Sequence, residues 1–317
     1  DYLMNGFFGF LIGYKLPYAI ANFADLKQDA AAVILTFAGS WVGGIIGAAL
    51  LIGYYVAYDR MQRDKLPGNR VVTVYPADRI GVITTIAAIS GVVGAKVFAI
   101  IEDLPAFFAD PVGVFFSGSG LAIYGGLIGG FVGVFLYLRS KDIPVLPVMD
   151  AVAPALIVAY GVGRIGCQLS GDGDWGIAAP PVPPSWLLPD WMWSYDFPHN
   201  VINEGTETVA GCTDRYCSRL ADPRYPTSFY ETLMAFTIGG ILWAVRKRLT
   251  VIPGALFALY LLFNGVERFF IEFVRVNDRY DMLGFQLSQA QIIALLLVAI
   301  GALMGGWAVR RAGRAGA

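Results

Sequence analysis

The sequence predicts an all-α polytopic membrane protein with about eight transmembrane spans and a small extracytoplasmic cap, on three observations. Hydrophobic residues make up 56% of the 317 residues and charged residues only 15%. The mean hydropathy is +0.60, well on the apolar side of soluble domains. The apolar residues gather into runs close to the roughly 20 residues that a helix needs to cross a bilayer, and Lys and Arg collect in alternate connections between them.

In chain order the runs lie at Leu3 to Phe23, Ala32 to Tyr58, Ile80 to Ile101, Leu121 to Leu138, Val145 to Ile165, Ser228 to Val245, Gly254 to Val274 and Leu287 to Val309. Lys15 and Pro17 weaken the first, because a charge and an imino ring are both costly inside a spanning helix. The stretch Ala106 to Phe116 is short enough to dip into the membrane without crossing it. Arg60, Arg63, Lys65 and Arg70 follow the second run, Arg139 and Lys141 the fourth, Arg246, Lys247 and Arg248 the sixth, and Arg310, Arg311 and Arg314 the last. Because short cytoplasmic loops collect basic residues, both termini are expected in the cytoplasm and residues 167–226 outside. No cleavable targeting peptide is expected, and the chain opens on Asp1, so its start stays open. The net charge is −1 with the basic residues scattered, and nucleic acid is excluded as a partner for want of a concentrated basic face.

Three segments are expected: an N-terminal bundle at 1–166, the cap at 167–226 and a C-terminal bundle at 227–317. Within the first, the stretch from Gly13 to Arg60 aligns with that from Gly94 to Lys141, setting Lys15 on Lys96, Phe37 on Phe116 and Gly43-Gly44 on Gly125-Gly126. This reads as a parallel internal repeat. The glycine clusters read as places where helices approach closely in lipid. The cap is rich in Pro, Trp and Asp, its tryptophans suit the headgroup level, and it carries Cys212 and Cys217. An oxidising exterior allows these a disulfide, with free thiols or pairing to another chain as the alternatives. His199, the one histidine, reads as incidental.

Fixed charge at the ends of apolar runs is the chemical signal. Gly161-Val-Gly163-Arg164-Ile-Gly166 has the spacing of a dinucleotide fingerprint, but it ends a membrane span rather than linking a strand to a soluble helix. Asp172 and Asp174 lack the further oxygen ligands of a calcium loop, and neither a metal nor a cofactor is expected. Arg164 within a span needs a partner. Arg268 and Glu272 lie four residues apart on one helix face, with Glu267 and Arg275 nearby, and Asp172, Asp174 and Glu231 supply further acids. One reading is a set of buried ion pairs that fix helix register; the other is a cationic pocket for a lipid phosphate, which the planar guanidinium fork suits.

The segments "ADPVGVFFSGSGLAIYGGLIGG", "GRIGCQLSGDGDWG", "YPTSFYE", "RFFIEFVRVND" and "LSQAQ" resemble, in this order, the prolipoprotein diacylglyceryl transferase family over roughly Arg79 to Arg311. The resemblance implies a bacterial inner-membrane enzyme that moves a diacylglyceryl group from phosphatidylglycerol to the lipobox cysteine of a preprolipoprotein signal peptide. It also implies that Arg164 and Arg268 hold the lipid headgroup, that Glu272 orients Arg268, and that Asp172 takes the place of the family's signature acid. Gly125, Gly126, Gly166, Cys167, Tyr225 and Glu231 would line the substrate site. This chain departs from the family at Tyr124, Cys167 and Tyr225, which replace a histidine, an asparagine and a histidine, and at Val42, which stands where the family has a tyrosine. Tyr124 then reads either as a catalytic group or as an interhelical hydrogen bonder. Two other functions stay open on the sequence: a lipid-binding or assembly subunit of a larger membrane complex that has lost turnover, and a transporter of an anionic solute.

Overall fold

The computed structural model describes residues 2–28, 33–34, 36, 38–63, 76–116, 122–213, 215–277, 279–282 and 285–315. Phe37, Lys65, Arg70, Leu121 and the start of the second apolar run lie outside the described residues. The chain divides into two compact units, Asp1–Ile143 and Pro144–Ala317.

The first unit holds α1 (Tyr2–Ala21), α2 (Phe23–Gln28), α3 (Trp41–Arg63), a 3-10 turn at Pro76–Arg79, α4 (Ile80–Glu102), α5 (Leu104–Ala109), α6 (Pro111–Phe116) and α7 (Ile123–Ser140). Helices α1 and α3 pair, as do α4 and α7. Glycine makes both pairings close. A Cβ at Gly13 would run into the carbonyl of Gly43 and meet Gly47, and a Cβ at Gly94 would run into the carbonyl of Gly125 and meet Gly129. In lipid the tails are as apolar as the side chains, so this backbone approach, rather than exclusion of water, holds each pair. The chain also re-enters each second helix in the same way: Ser40 N–H donates to the Tyr14 carbonyl at 2.9 Å and Ala122 N–H to the Ala95 carbonyl at 3.0 Å. Lys15 Nζ donates to the carbonyls of Thr36 and, at 3.0 Å, Ala38. The short α5 and α6 cover the stretch expected to dip without crossing.

The second unit runs α8 (Val145–Ser170), a cap, α9 (Thr227–Leu249), α10 (Ala255–Ile271), a hairpin and α11 (Gln289–Ala315). Its core is made where α8, α9 and α10 meet. Ile157 of α8, Ala235, Ile238 and Leu242 of α9, and Leu256 of α10 are buried there, with Tyr160, Tyr260 and Phe263 packed against them. Each helix supplies one stripe at helical spacing. Two buried polar contacts set the ends. The Asp150 carboxylate, on α8, accepts from the backbone N–H groups of Gly254 at 2.6 Å and Phe257 at 2.8 Å, satisfying donors that the start of α10 leaves free. Ser288 and Gln291 cap α11 reciprocally at 3.0 and 3.2 Å, a capping box in form.

The cap is irregular, with β1 (Glu207–Thr208) paired antiparallel to β2 (Ser218–Arg219), and β3 (Arg279–Met282) pairs with β4 (Phe285–Ser288) ahead of α11. Trp175, Phe197 and Leu220 form its small core. Asn200, fully buried, ties it together by donating to the carbonyls of Glu204 at 2.9 Å and Ser218 at 3.0 Å while accepting from Glu204 N–H at 2.7 Å. Cys212 and Cys217 form a disulfide. Among the described residues, each of the eight expected apolar runs overlaps one helix. Six of these, α3, α4, α7, α8, α9 and α11, are long and apolar enough to cross a membrane, whereas α10 has 17 residues and α1 carries Pro17 and Lys15. The chain is therefore an all-α polytopic membrane protein.

Candidate active site

The three stripes that build the core of the second unit all end in charge. On α8 the series Ile157, Tyr160 continues to Arg164; on α9 Leu242, Ile238, Ala235 continues back to Glu231; on α10 Leu256, Tyr260, Phe263 continues to Glu267. Helical spacing thus brings an arginine and two glutamates to one end of the bundle.

Glu231 is the hub. Its side chain has no exposed surface, and Oε2 lies 2.5 Å from Arg164 Nε while Oε1 lies 3.3 Å from Arg268 Nη1 and 2.9 Å from Arg275 Nη1. Tyr160 O–H donates to Oε2 at 3.1 Å, and its ring lies 5.1 Å from the Arg164 guanidinium carbon. Asp174 closes the ring: Arg164 Nη1 pairs with Oδ2, and Arg275 Nη2 lies 2.5 Å from Oδ1. Arg164 and Arg275 therefore each bridge the same two carboxylates, a use of the guanidinium fork that lysine cannot copy. Glu272 pairs with Arg268 Nη2 at 3.2 Å and accepts from Asn277 Nδ2.

Burial by itself works against ionisation of Asp174, but the Arg275 and Arg164 guanidiniums outweigh it and hold the carboxyl below its ordinary range. For Arg275 the desolvation that would lower its affinity for a proton is overcome by Glu231 and Asp174, which raise it.

The backbone places Asp174. Gly171 ends α8 in the left-handed region, with φ 60°, and Gly173 has φ 96°, conformations that glycine adopts without strain. The Asp174 carbonyl then accepts from the hydroxyls of Thr227 at 2.8 Å and Ser228 at 3.0 Å. Gly176 N–H donates to the Tyr225 carbonyl at 2.9 Å, and Ile177 N–H to that of Val274 at 2.8 Å. A Cβ on Gly176 would lie 2.6 Å from the Val274 oxygen. The run Tyr225-Pro226-Thr227-Ser228-Phe229-Tyr230-Glu231 is thus one device, its first residues gripping the Asp174 loop and its last meeting the arginines.

Among the expected site residues, Arg164, Arg268, Glu231 and Glu272 come together in one ion-paired cluster. Cys167 joins them, with Sγ 3.9 Å from Arg164 Nη1. Tyr225 contributes its carbonyl, while its ring packs on Trp193. Asp172 is exposed and its carboxylate accepts from Asp174 N–H at 3.3 Å, whereas the acid that pairs with Arg164 and Arg275 is Asp174. The two glycines that turn the chain between Ser170 and Asp174 carry the first aspartate outward and the second inward. Ligand atoms of Cys167, Asp172 and Asp174 lie within 4.8 Å of one another, but Asp174 is already engaged by two guanidiniums. Gly166 borders open space, since an added Cβ there meets nothing within 4 Å. Tyr124, Gly125 and Gly126 belong to the first unit, at the start of α7, where Gly125 is taken up in the approach to α4 and Tyr124 is exposed. Arg275 is the member that sequence reasoning left unassigned; its spacing from Arg268 and Glu272, seven and three residues, was the available signal.

Comparison with known proteins adds the ancestry. A protein from Staphylococcus carnosus named phosphatidylglycerol-prolipoprotein diacylglyceryl transferase is 30% identical over 268 residues, covering 83% of this chain and 84% of its own. One of the same name from Clostridium tetani is 30% identical over 227 residues, 72% of this chain and 80% of its own. One from Halalkalibacterium halodurans is 27% identical over 276 residues, 87% and 84%. The sequence pattern of the family described as prolipoprotein diacylglyceryl transferase matches residues 29–307, and with the relatives this establishes that the chain belongs to the prolipoprotein diacylglyceryl transferase family.

Proposed function

We propose that this chain transfers the diacylglyceryl group of phosphatidylglycerol to the lipobox cysteine thiol of a preprolipoprotein. The single observation that carries the reading is the convergence of Arg164, Arg268 and Arg275 on the buried Glu231. The acids take Nε and Nη1 of Arg164 and both Nη atoms of Arg268, which among the described residues leaves Arg164 Nη2 and Arg268 Nε for a phosphate. The side chains of Arg164 and Arg268 keep 16% and 23% of their surface exposed, against 8% for Arg275. Arg164 and Arg268 are accordingly the headgroup contacts, and Arg275 positions them.

The chemistry asks for little more. A cysteine thiol of pKa about 8.5 attacks as the thiolate, and the guanidinium N–H groups not taken by the acids steady the phosphate that leaves. Cys167 and Gly166 border the headgroup position. The family resemblance implies Tyr124 as a catalytic group and Gly125 and Gly126 as substrate contacts.

The alternation of basic connections supports a plasma-membrane enzyme with both ends cytoplasmic and residues 167–226 outside, which puts the arginines at the depth of outer-leaflet headgroups. The test is a reconstituted assay with phosphatidylglycerol and a lipobox peptide. A thioether-linked diacylglyceryl peptide is expected, and Arg164→Ala and Arg268→Ala abolish it. No product under conditions in which a histidine-bearing relative turns over sinks the reading; accumulation of an anionic solute in vesicles replaces it with transport.

A further inference from the structure

One ionisable group at this end of the bundle is not used by the scheme above. Glu267 closes the α10 stripe that packs against α8 and α9, it is 5% exposed, and neither carboxylate oxygen has a hydrogen-bond partner among the described residues. The groups that act on it electrostatically are Tyr160 and Arg164 from α8, Glu231 from α9, and Arg268 and Arg275 from α10 and the segment after it. Helix α11 brings no titratable side chain to that end, its only ones being Arg310, Arg311 and Arg314 near its other terminus.

The charge tally decides the state of Glu267. Among the described residues, Arg164, Arg268 and Arg275 are matched one for one by Asp174, Glu231 and Glu272. An ionised Glu267 would be an unpaired buried anion beside Glu231, with a heavy desolvation penalty and like-charge repulsion. The neutral acid avoids both. The same tally leaves a difficulty for the reaction: as the phosphodiester monoanion becomes a phosphate monoester, a second negative charge develops where every guanidinium is already matched.

We infer that Glu267 rests as the neutral acid and gives its proton to the phosphate oxygen that leaves. The inference rests on the transferase reading. In the step, the thiolate sulfur forms a bond to the glycerol carbon that bears the phosphoester, and that carbon–oxygen bond breaks with its electron pair passing to the oxygen. The thiol proton leaves to solvent before attack, the oxygen takes the Glu267 proton as the bond breaks, and Glu267 regains a proton from solvent once the product departs. Charge at the headgroup then never rises above that of the phospholipid that entered.

The test compares wild type with Glu267→Gln and Glu267→Asp in vesicles containing phosphatidylglycerol, with a lipobox peptide as acceptor. Glutamine keeps the shape and the neutral charge but has no proton to give. Glu267→Gln is expected to keep phosphatidylglycerol affinity within about threefold and to lower kcat about 10²-fold, as loss of a general acid does. In wild type kcat is expected to fall as pH rises and Glu267 loses its proton; that fall is expected to be absent in Glu267→Gln, and Glu267→Asp to recover part of the rate. The infrared carbonyl band of a protonated carboxyl is expected in wild type at neutral pH and not in Glu267→Gln. Activity of Glu267→Gln within about threefold of wild type with an unchanged pH profile overturns the donor role, and so does a wild-type spectrum without that band. Should Glu267→Gln not fold, the Glu267→Asp rate and the wild-type spectrum decide. A wild type that forms no product overturns the transferase reading itself, a result distinct from an active wild type with an equally active glutamine variant.

Discussion

Arg164 and Glu231 meet inside the second unit, with the Arg164 Nε 2.5 Å from an Oε2 that belongs to a fully buried side chain. The same carboxylate serves Arg268 and Arg275. Removing its charge leaves three guanidiniums short of an anion, and breaking a buried pair from one side costs about 3–5 kcal/mol. Glu231→Gln is therefore expected to lower the thermal midpoint in detergent by several degrees and to abolish transfer. A variant that keeps both the midpoint and the activity contradicts the hub.

The exchange of Asp172 for Asp174 gives a sharper comparison. Asp174→Asn weakens the clasp on Arg164 and Arg275 and should reduce kcat/KM at least about 100-fold, about 3 kcal/mol of lost transition-state stabilisation. Asp172→Asn, on an exposed side chain, should stay within about threefold. Equal losses in the two would return Asp172 to the site.

The depressed pKa of Asp174 also has a sign that can be measured. As pH falls, the unfolded chain binds this proton first, near pH 3.9, while the native carboxylate stays ionised. The stabilisation is present above that value and is lost as pH falls from there through the lower native pKa. The stability difference between wild type and Asp174→Asn should thus be flat from neutral pH to about pH 4 and shrink below it. Denaturation curves of the two proteins in one detergent read it directly.

Close helix approach in the first unit makes a fourth prediction. A side chain at Gly94 would collide with the carbonyl of Gly125 and the Cα of Gly129 at 2.8 Å, and neither can yield because both are backbone. Gly94→Val should destabilise by about 1–3 kcal/mol, whereas Gly81→Val, which meets nothing within 4 Å, should cost less than about 0.5 kcal/mol. Thermal midpoints of the two variants decide.

Much of this was legible in the sequence because membranes simplify the code. Eight apolar runs read as eight long helices, and Arg164, Glu231, Arg268 and Glu272 read as partners because an unpaired ion in such a run is untenable. The choice between Asp172 and Asp174 was not legible. It depends on two left-handed glycines in a loop, where no periodicity says which side chain turns inward. Arg275 was visible but unassigned because it lies past Ile271, where α10 ends and helical phase ceases to be a guide, although the turn that follows keeps it on the Arg268 face. The fate of Cys212 and Cys217 needed their positions in the folded hairpin loop, since spacing alone allows both paired and free thiols.

With Cys212 and Cys217 joined, Cys167 is the one reduced sulfhydryl among the chain's three cysteines. It stands beside the arginine assigned to the headgroup. Its half-buried sulfur should be alkylated more slowly when phosphatidylglycerol fills the site, so the rate of alkylation of unmutated protein would serve as an occupancy gauge without any engineered residue.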